Sequence, residues 1–192
     1  ELSWTINATD PNWVAPLRIT LKTALDRAKH PFNRHADVAY FIATRGGRPV
    51  GRIAAILNHR HNEFHQDSVG FFGLFEAEND PALASALLEA AGDWLRDRGC
   101  TSMRGPFNFS TNDEISSPGV LIEGFERPPA FMMSHNPPYY RRLIEGAGLE
   151  KARDLVAFWF DDPASTPHAG SRGLERLLSR SGASIRSLDL RR

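Results

Sequence analysis

Ser68-Val-Gly-Phe-Phe-Gly-Leu-Phe-Glu76, then Pro81 to Arg98, then Ser102-Met-Arg-Gly-Pro-Phe-Asn108 read as strand, long helix and strand. The helix has clear punctuation. Asp80 suits the N-cap, Pro81 the first helical position, and Gly99 follows the end. Leu83, Leu87, Leu88, Ala91, Trp94 and Leu95 recur at helical spacing, with Asp93, Arg96 and Asp97 turned to solvent. The turn before the helix, Glu76-Ala-Glu-Asn-Asp80, has no glycine and three carboxylates.

Upstream, Val38–Thr44 reads as a strand, Arg45-Gly-Gly-Arg48 as a hairpin turn, and Pro49–Asn58 as the return strand. Leu2–Ile6 is expected to form a short first strand. Pro11-Asn-Trp-Val-Ala-Pro16 leads into a helix near Leu17–Ala28. Asn58–Asp67 is read as a polar loop. Downstream, Phe109–His135 is a connection rich in Gly, Pro, Ser and Asn, and loops of such length are commonly functional. Asn136 is read as the cap of a helix at Pro137–Gly146, and Lys151–Phe160 as a last apolar strand. Asp161–Gly173 is linker-like, Leu174–Ser181 a short helix, and Ser184–Leu190 alternates as a strand does. The expected organisation is therefore a domain at 1–160, a linker with a short helix at 161–183, and the start of a truncated second domain at 184–192.

The chain has 192 residues and no net charge, so a basic nucleic-acid face is not expected. Of its 23 basic residues only Lys22, Lys29 and Lys151 are lysine. Cys100 is the single cysteine, which excludes an internal disulfide and fits a reducing, cytoplasmic setting. No apolar run is long enough to span a membrane.

The element order, together with Pro11-Asn-Trp-Val-Ala-Pro16, Pro49-Val-Gly-Arg-Ile53, Asn58-His-Arg-His-Asn62, Gly105-Pro-Phe-Asn-Phe-Ser110, Gly119-Val-Leu-Ile-Glu-Gly-Phe125 and Asn136-Pro-Pro-Tyr-Tyr140, resembles GCN5-related N-acetyltransferases. More narrowly it resembles an uncharacterised bacterial family with two such halves. The resemblance covers residues 2–160. It implies an α/β (α+β) fold, a mixed, mostly antiparallel sheet flanked by helices. It also implies acyl-CoA or an acyl carrier as co-substrate, a small-molecule amine as acceptor, long-chain acyl transfer in some relatives, and pairing with a second half or a homodimer. No metal is expected. In that superfamily a Gly-rich turn before the helix holds the pyrophosphate. Here Asp80 is expected to occupy the helix N–H groups instead, and Glu76 and Glu78 to repel phosphate, at about 1–3 kcal/mol. The superfamily's tyrosine acid is matched by Ile144, with Tyr139 and Tyr140 a turn earlier.

Acyl transfer to an amine needs a base for the ammonium proton and a donor for the leaving thiolate. Glu114 and Glu123 are candidates for the base, and His135, Tyr139 or Tyr140 for the donor. Asn108, Ser110, Asn112, Asn136 and Tyr139 are candidates for substrate binding, and Phe75, Glu76 and Arg104 for the co-substrate. The competing reading is that the loop residues cap turns in an ordered lid. Phe71, Phe72, Phe75, Phe107, Phe109, Phe125, Phe131, Met132 and Met133 read as core or as an apolar tunnel. His59, His61, Glu63 and His65 alternate as ligands on a strand face would, against the plainer reading of a solvated loop. A non-catalytic half that supports a cofactor-binding half is the alternative to an N-acyltransferase.

Overall fold

The computed structural model describes residues 1–110 and 115–158, together with Arg180 and Gly182. The chain divides into two compact units, Glu1–Arg153 and Asp154–Arg192. The first begins with two helices, α1 (Leu2–Ile6) and α2 (Arg18–Leu25), and a 3-10 turn at Pro31–Arg34. Strands β1 (Ala36–Arg45) and β2 (Arg48–Asn58) follow, then α3 (His59–His65), β3 (Val69–Ala77), α4 (Pro81–Arg96), β4 (Ser102–Arg104) and α5 (Tyr140–Gly146). The sheet order is β1-β2-β3-β4, antiparallel except for the parallel β3–β4 pair that α4 connects. This is the mixed, mostly antiparallel sheet with flanking helices expected from the sequence.

The β1–β2 hairpin turns on Gly46 and Gly47, at φ +58° and +78°, where other residues are strained. Along β2 alternate residues serve opposite faces. Ile53, Ala55 and Leu57 join Phe72 and Phe75 under Leu83, Leu87, Leu88 and Leu95 of α4 and Leu143 of α5. Ala54 and Ile56 turn the other way, to Ala24, Phe32, Val38, Leu74 and Phe109. A bulge in β3 decides which phenylalanine goes where. The β2 register jumps from Ala54 opposite Gly73 to Arg52 opposite Glu76, and Leu74 takes φ +49°. The extra residue keeps Phe75 on the same face as Phe72.

Four sequence expectations are corrected. Leu2–Ile6 is a helical turn, with Asn7 Nδ2 donating to the Ser3 carbonyl at 2.9 Å. It packs on β2 and β3 rather than extending the sheet. Asn58–Asp67 is not a loop: Asn58 Oδ1 accepts from His61 N–H and starts α3. Asn136 does not cap α5, which begins at Tyr140. Residues 151–158 form no strand, and Leu155, Val156 and Phe158 are exposed; an apolar run becomes a strand only beside a partner edge. Trp159, Phe160, the short helix and the strand expected at 184–190 lie outside the described residues, Arg180 apart.

Candidate functional site

Two places in the first unit concentrate polar chemistry: the turn joining β3 to α4, and the long loop after β4. At the turn, Asp80 Oδ1 accepts from the N–H groups of Ala82 and Leu83 at 3.0 and 3.2 Å, and Pro81 has none to offer. These bonds to backbone, and then Arg45, hold the Asp80 carboxyl below the usual carboxylate range. Arg45 also reaches Glu78, and Arg48 pairs with Glu78 at 2.6 Å. Glu76 has a side chain 15% exposed and meets Arg52 at 3.5 Å. The three carboxylates therefore do not stand as bare charges. The arginines of the hairpin bind them, and the helix N-terminus is closed by its own cap.

The free edge of β3 is filled in the same way. Only Val69, Gly70 and Phe71 pair with β4. Beyond them Phe107 N–H donates to the Phe72 carbonyl at 2.7 Å. Asn108 Oδ1 accepts from the bulge amide of Leu74 at 2.7 Å, and its amide donates to the Ile115 carbonyl at 2.9 Å. Close approach here needs glycine. A Cβ on Gly73 would lie 2.3 Å from the Phe107 carbonyl oxygen. At the end of β3, Ala77 N–H donates to the Tyr140 hydroxyl (3.1 Å), which donates to Glu76 Oε2 (2.7 Å). Tyr139 donates to the Ala77 carbonyl at 3.0 Å. Burial first, then Glu76, pushes the Tyr140 phenol well above its usual value and that of Tyr139 to about 12.

The long loop is knit at its base. Gly119 N–H donates to Pro106, Ser134 donates to Pro118, and Ser117 to Ser134. Asn136 Oδ1 accepts from Leu121 N–H at 2.7 Å, and its amide donates to Pro137. Across from it lies the turn after α1. Asn12 donates to the Phe125 carbonyl at 3.0 Å, and His135 Nε2 stands 2.8 Å from Asp10 Oδ2. The His135 side chain is only 3% exposed, and its Nδ1 is buried without a hydrogen-bond partner. Asp10 Oδ1 accepts from Asn12 N–H, and the bond to His135 holds the Asp10 carboxyl below its ordinary value.

The residues singled out in the sequence thus fall into separate groups. Glu76, Tyr139 and Tyr140 form one network, and Phe75 packs against Tyr140 at a ring distance of 5.2 Å. Asn108 pins the bulge, while Asn136 and His135 hold the loop base. Glu123 and Arg104 are exposed, and Ser110 is half-buried beside Phe109. Asn112 and Glu114 lie outside the described residues. The Tyr140 hydroxyl donates its hydrogen bond to Glu76 inside the core. The aromatic set is no single tunnel: Phe72 and Phe75 lie on one face, Phe71 and Phe109 on the other, and Phe131 is 80% exposed. On α3, the His61 and His65 rings lie 4.4 Å apart, tilted by 42°, while His59 turns to Asp37, so the alternation does not gather ligands. Among the described residues no group of three or more His, Cys, Asp or Glu could hold a metal ion. Asp10 carried no signal in the sequence as a site residue, because its partner His135 lies 125 positions away.

The sheet, its bulge and the helix after β3 make this an α+β unit with a four-stranded, mostly antiparallel sheet. No family model matches the chain. It is 43% identical over 188 residues to the bacterial ceramide synthase of Caulobacter vibrioides, which covers 97% of this chain and 48% of that protein. It is 40% identical over 150 residues to Protein YghO of Escherichia coli, covering 78% of this chain and 37% of that protein. The chain spans about half, or less, of the length of these curated relatives. A crystal structure of an aminoglycoside acetyltransferase from an uncultured soil metagenomic sample, in complex with sisomicin, aligns over 83% of this chain and 82% of its own. The identity is 9% and the TM-score 0.46. No helix among the described residues is long and apolar enough to cross a membrane.

Proposed function

We propose that this chain is part of an acyl-thioester-dependent N-acyltransferase that joins a fatty acyl group to a long-chain amine. The observation that carries this reading is the 43% identity to a bacterial ceramide synthase, which runs through 97% of the chain. A ceramide is the amide of a fatty acid and a long-chain amino alcohol, so the bond made is an amide. The residues present do not fit an acyl-CoA pyrophosphate at the head of α4. Asp80 already satisfies Ala82 and Leu83, and phosphate would have to displace it. The thioester's phosphates are therefore assigned to another part of the whole protein, and this part shapes the acceptor side through the loop that ends at His135.

One observation favours a second reading, a non-catalytic GCN5-like half that supports a cofactor-binding half. The turn before α4, where the resemblance puts the CoA pyrophosphate, is closed by Asp80, and the free edge of β3 is filled by Asn108, Tyr139 and Tyr140. The test is a melting-temperature panel with CoA, acetyl-CoA and palmitoyl-CoA, on this chain and on the whole protein. Mass-spectrometric detection of the amide formed from palmitoyl-CoA and a sphingoid amine accompanies it. Amide formed by the whole protein supports acyl transfer. No amide with any acyl thioester refutes it. A shift in the whole protein but none in this chain places the phosphates outside it, and a shift in this chain alone returns them to it.

A further inference from the structure

We infer that Asp10 and His135 form a proton-accepting dyad, in which Asp10 orients the ring and His135 Nδ1 takes a proton from the ammonium group of the acceptor. This deepens the N-acyltransfer reading and rests on it for the identity of the amine.

An ionised carboxylate has no proton to donate, so the ring nitrogen facing Asp10 at 2.8 Å must carry the hydrogen. The proton is thereby fixed on Nε2, and Nδ1 is left with an open lone pair. That lone pair belongs to a side chain 3% exposed and has no partner within the protein. A buried polar atom without a partner costs about 1–3 kcal/mol. A ring needed only as a pin between Asp10 and the loop gains nothing from leaving it bare. Asp10 is itself held in place: Oδ1 accepts from Asn12 N–H at 2.9 Å, and its carbonyl accepts from Trp13 N–H at 3.3 Å. Asp10 is the charged group that meets the ring. Glu123, Glu126 and Arg127 of the same loop are exposed to solvent. The ring sits at the seam between the turn after α1 and the long loop, also closed by Asn12 on the Phe125 carbonyl. For an amine to reach Nδ1 this seam must open at the Asn12–Phe125 contact.

The step balances simply. One N–H bond of the ammonium breaks, its electron pair stays on the amine nitrogen, and the proton moves to Nδ1. The imidazolium so formed lies against the Asp10 carboxylate, which offsets its charge. The free amine is then a nucleophile. Among the residues proposed from sequence, His135 moves from donor to acceptor because Asp10 fixes its tautomer.

The experiment uses the whole protein with palmitoyl-CoA and a sphingoid amine, and 15N-histidine NMR of the same protein titrated with the amine alone. Wild type should show kcat falling on the acid side. His135→Gln should lose that limb and about 10²–10⁴-fold in kcat, the usual share of a general base. Asp10→Asn, whose amide can donate to Nε2 and reverse the tautomer, should lower kcat at least about tenfold. Asp10→Glu should restore part of it. In NMR the His135 ring should show hydrogen on Nε2 and a shift of Nδ1 as amine is added. An unchanged pH profile in an active, folded His135→Gln protein refutes the dyad and leaves N-acyl transfer standing. If the wild-type protein makes no amide, N-acyl transfer fails, and the dyad is judged by NMR alone. Hydrogen on Nδ1, or no response of Nδ1 to the amine, refutes it; Nε2–H with a responding Nδ1 supports it.

Discussion

Tyr140→Phe separates a structural tyrosine from a catalytic one. The hydroxyl is 3% exposed with its residue, accepts from Ala77 N–H at 3.1 Å and donates to Glu76 Oε2 at 2.7 Å. Removing it leaves a buried amide unpaired, at about 1–3 kcal/mol. It also removes a hydrogen bond to a carboxylate, itself about 1.5–3 kcal/mol, although Glu76 keeps Arg52 at 3.5 Å. Non-additivity between bonds sharing one oxygen brings the expected loss to about 2–4 kcal/mol. For a unit of this size that is a fall in Tm of roughly 4–16 °C. The aromatic contacts with Phe75 and Tyr139 remain. Urea denaturation at neutral pH measures the loss, and the m-value should hold constant. A change below about 0.5 kcal/mol, the usual ceiling for a surface substitution, would show that the network does not lock α5 to β3. A stability-neutral variant that lost acyl transfer would restore Tyr140 as a catalytic acid.

Gly73→Ala should destabilise by at least about 1–3 kcal/mol in the same assay, because its Cβ would meet the Phe107 carbonyl at 2.3 Å; a neutral result would mean that the β3–loop junction yields freely. Replacing Glu78 and Asp80 together by glycine should lower Tm by removing the α4 cap, and leave CoA affinity unchanged by calorimetry; tighter CoA binding would place the phosphates at this turn after all. The three tyrosines, Tyr40, Tyr139 and Tyr140, are all raised from 10.0 chiefly by burial, Tyr139 to about 12. The folded chain then holds its phenolic protons more tightly than the unfolded one, so stability should be full below pH 10 and fall as pH climbs through about 12. Phenolate absorbance of the native protein should stay flat through pH 10, and half-ionisation there would contradict the burial. The Asp10 carboxyl is lowered, so its contribution is present above the unfolded value of about 3.9 and is lost as pH falls through the folded one. Asp10→Asn should flatten that part of the acid-stability curve, and a curve superposable on wild type would remove the His135 contact.

Local chemistry was legible in the chain wherever neighbours in sequence are neighbours in space. The cap at Asp80, the Gly46-Gly47 turn, the apolar stripe of α4 and the β1–β2 hairpin all depend on residues within a few positions, and each stands where its pattern places it. The acidic turn was legible as a conflict with phosphate, because the carboxylates are adjacent. That they would be matched was not, since Arg45, Arg48 and Arg52 reach them only when β2 pairs with β3. Where several patterns compete over a short segment, local bonds and packing chose: Leu2–Ile6 alternates like a strand but closes a helical turn that packs on β2 and β3, and α3 forms because Asn58 caps it.

The sequence by itself determined the β-α-β unit, the closure of the α4 N-terminus and the apolar stripe of α4, because helix capping and side-chain periodicity act over one or two turns of chain. The tertiary structure alone decided the bulge at Leu74, which sends Phe75 to one face and Leu74 to the other, and the filling of the β3 edge by Asn108, Tyr139 and Tyr140. It alone set His135 against Asp10, 125 positions away. Such contacts carry no periodicity and no local propensity. They arise when loop closure brings distant polar groups together in a space from which water has been removed, and there a hydrogen bond left unmade is expensive enough to select one partner.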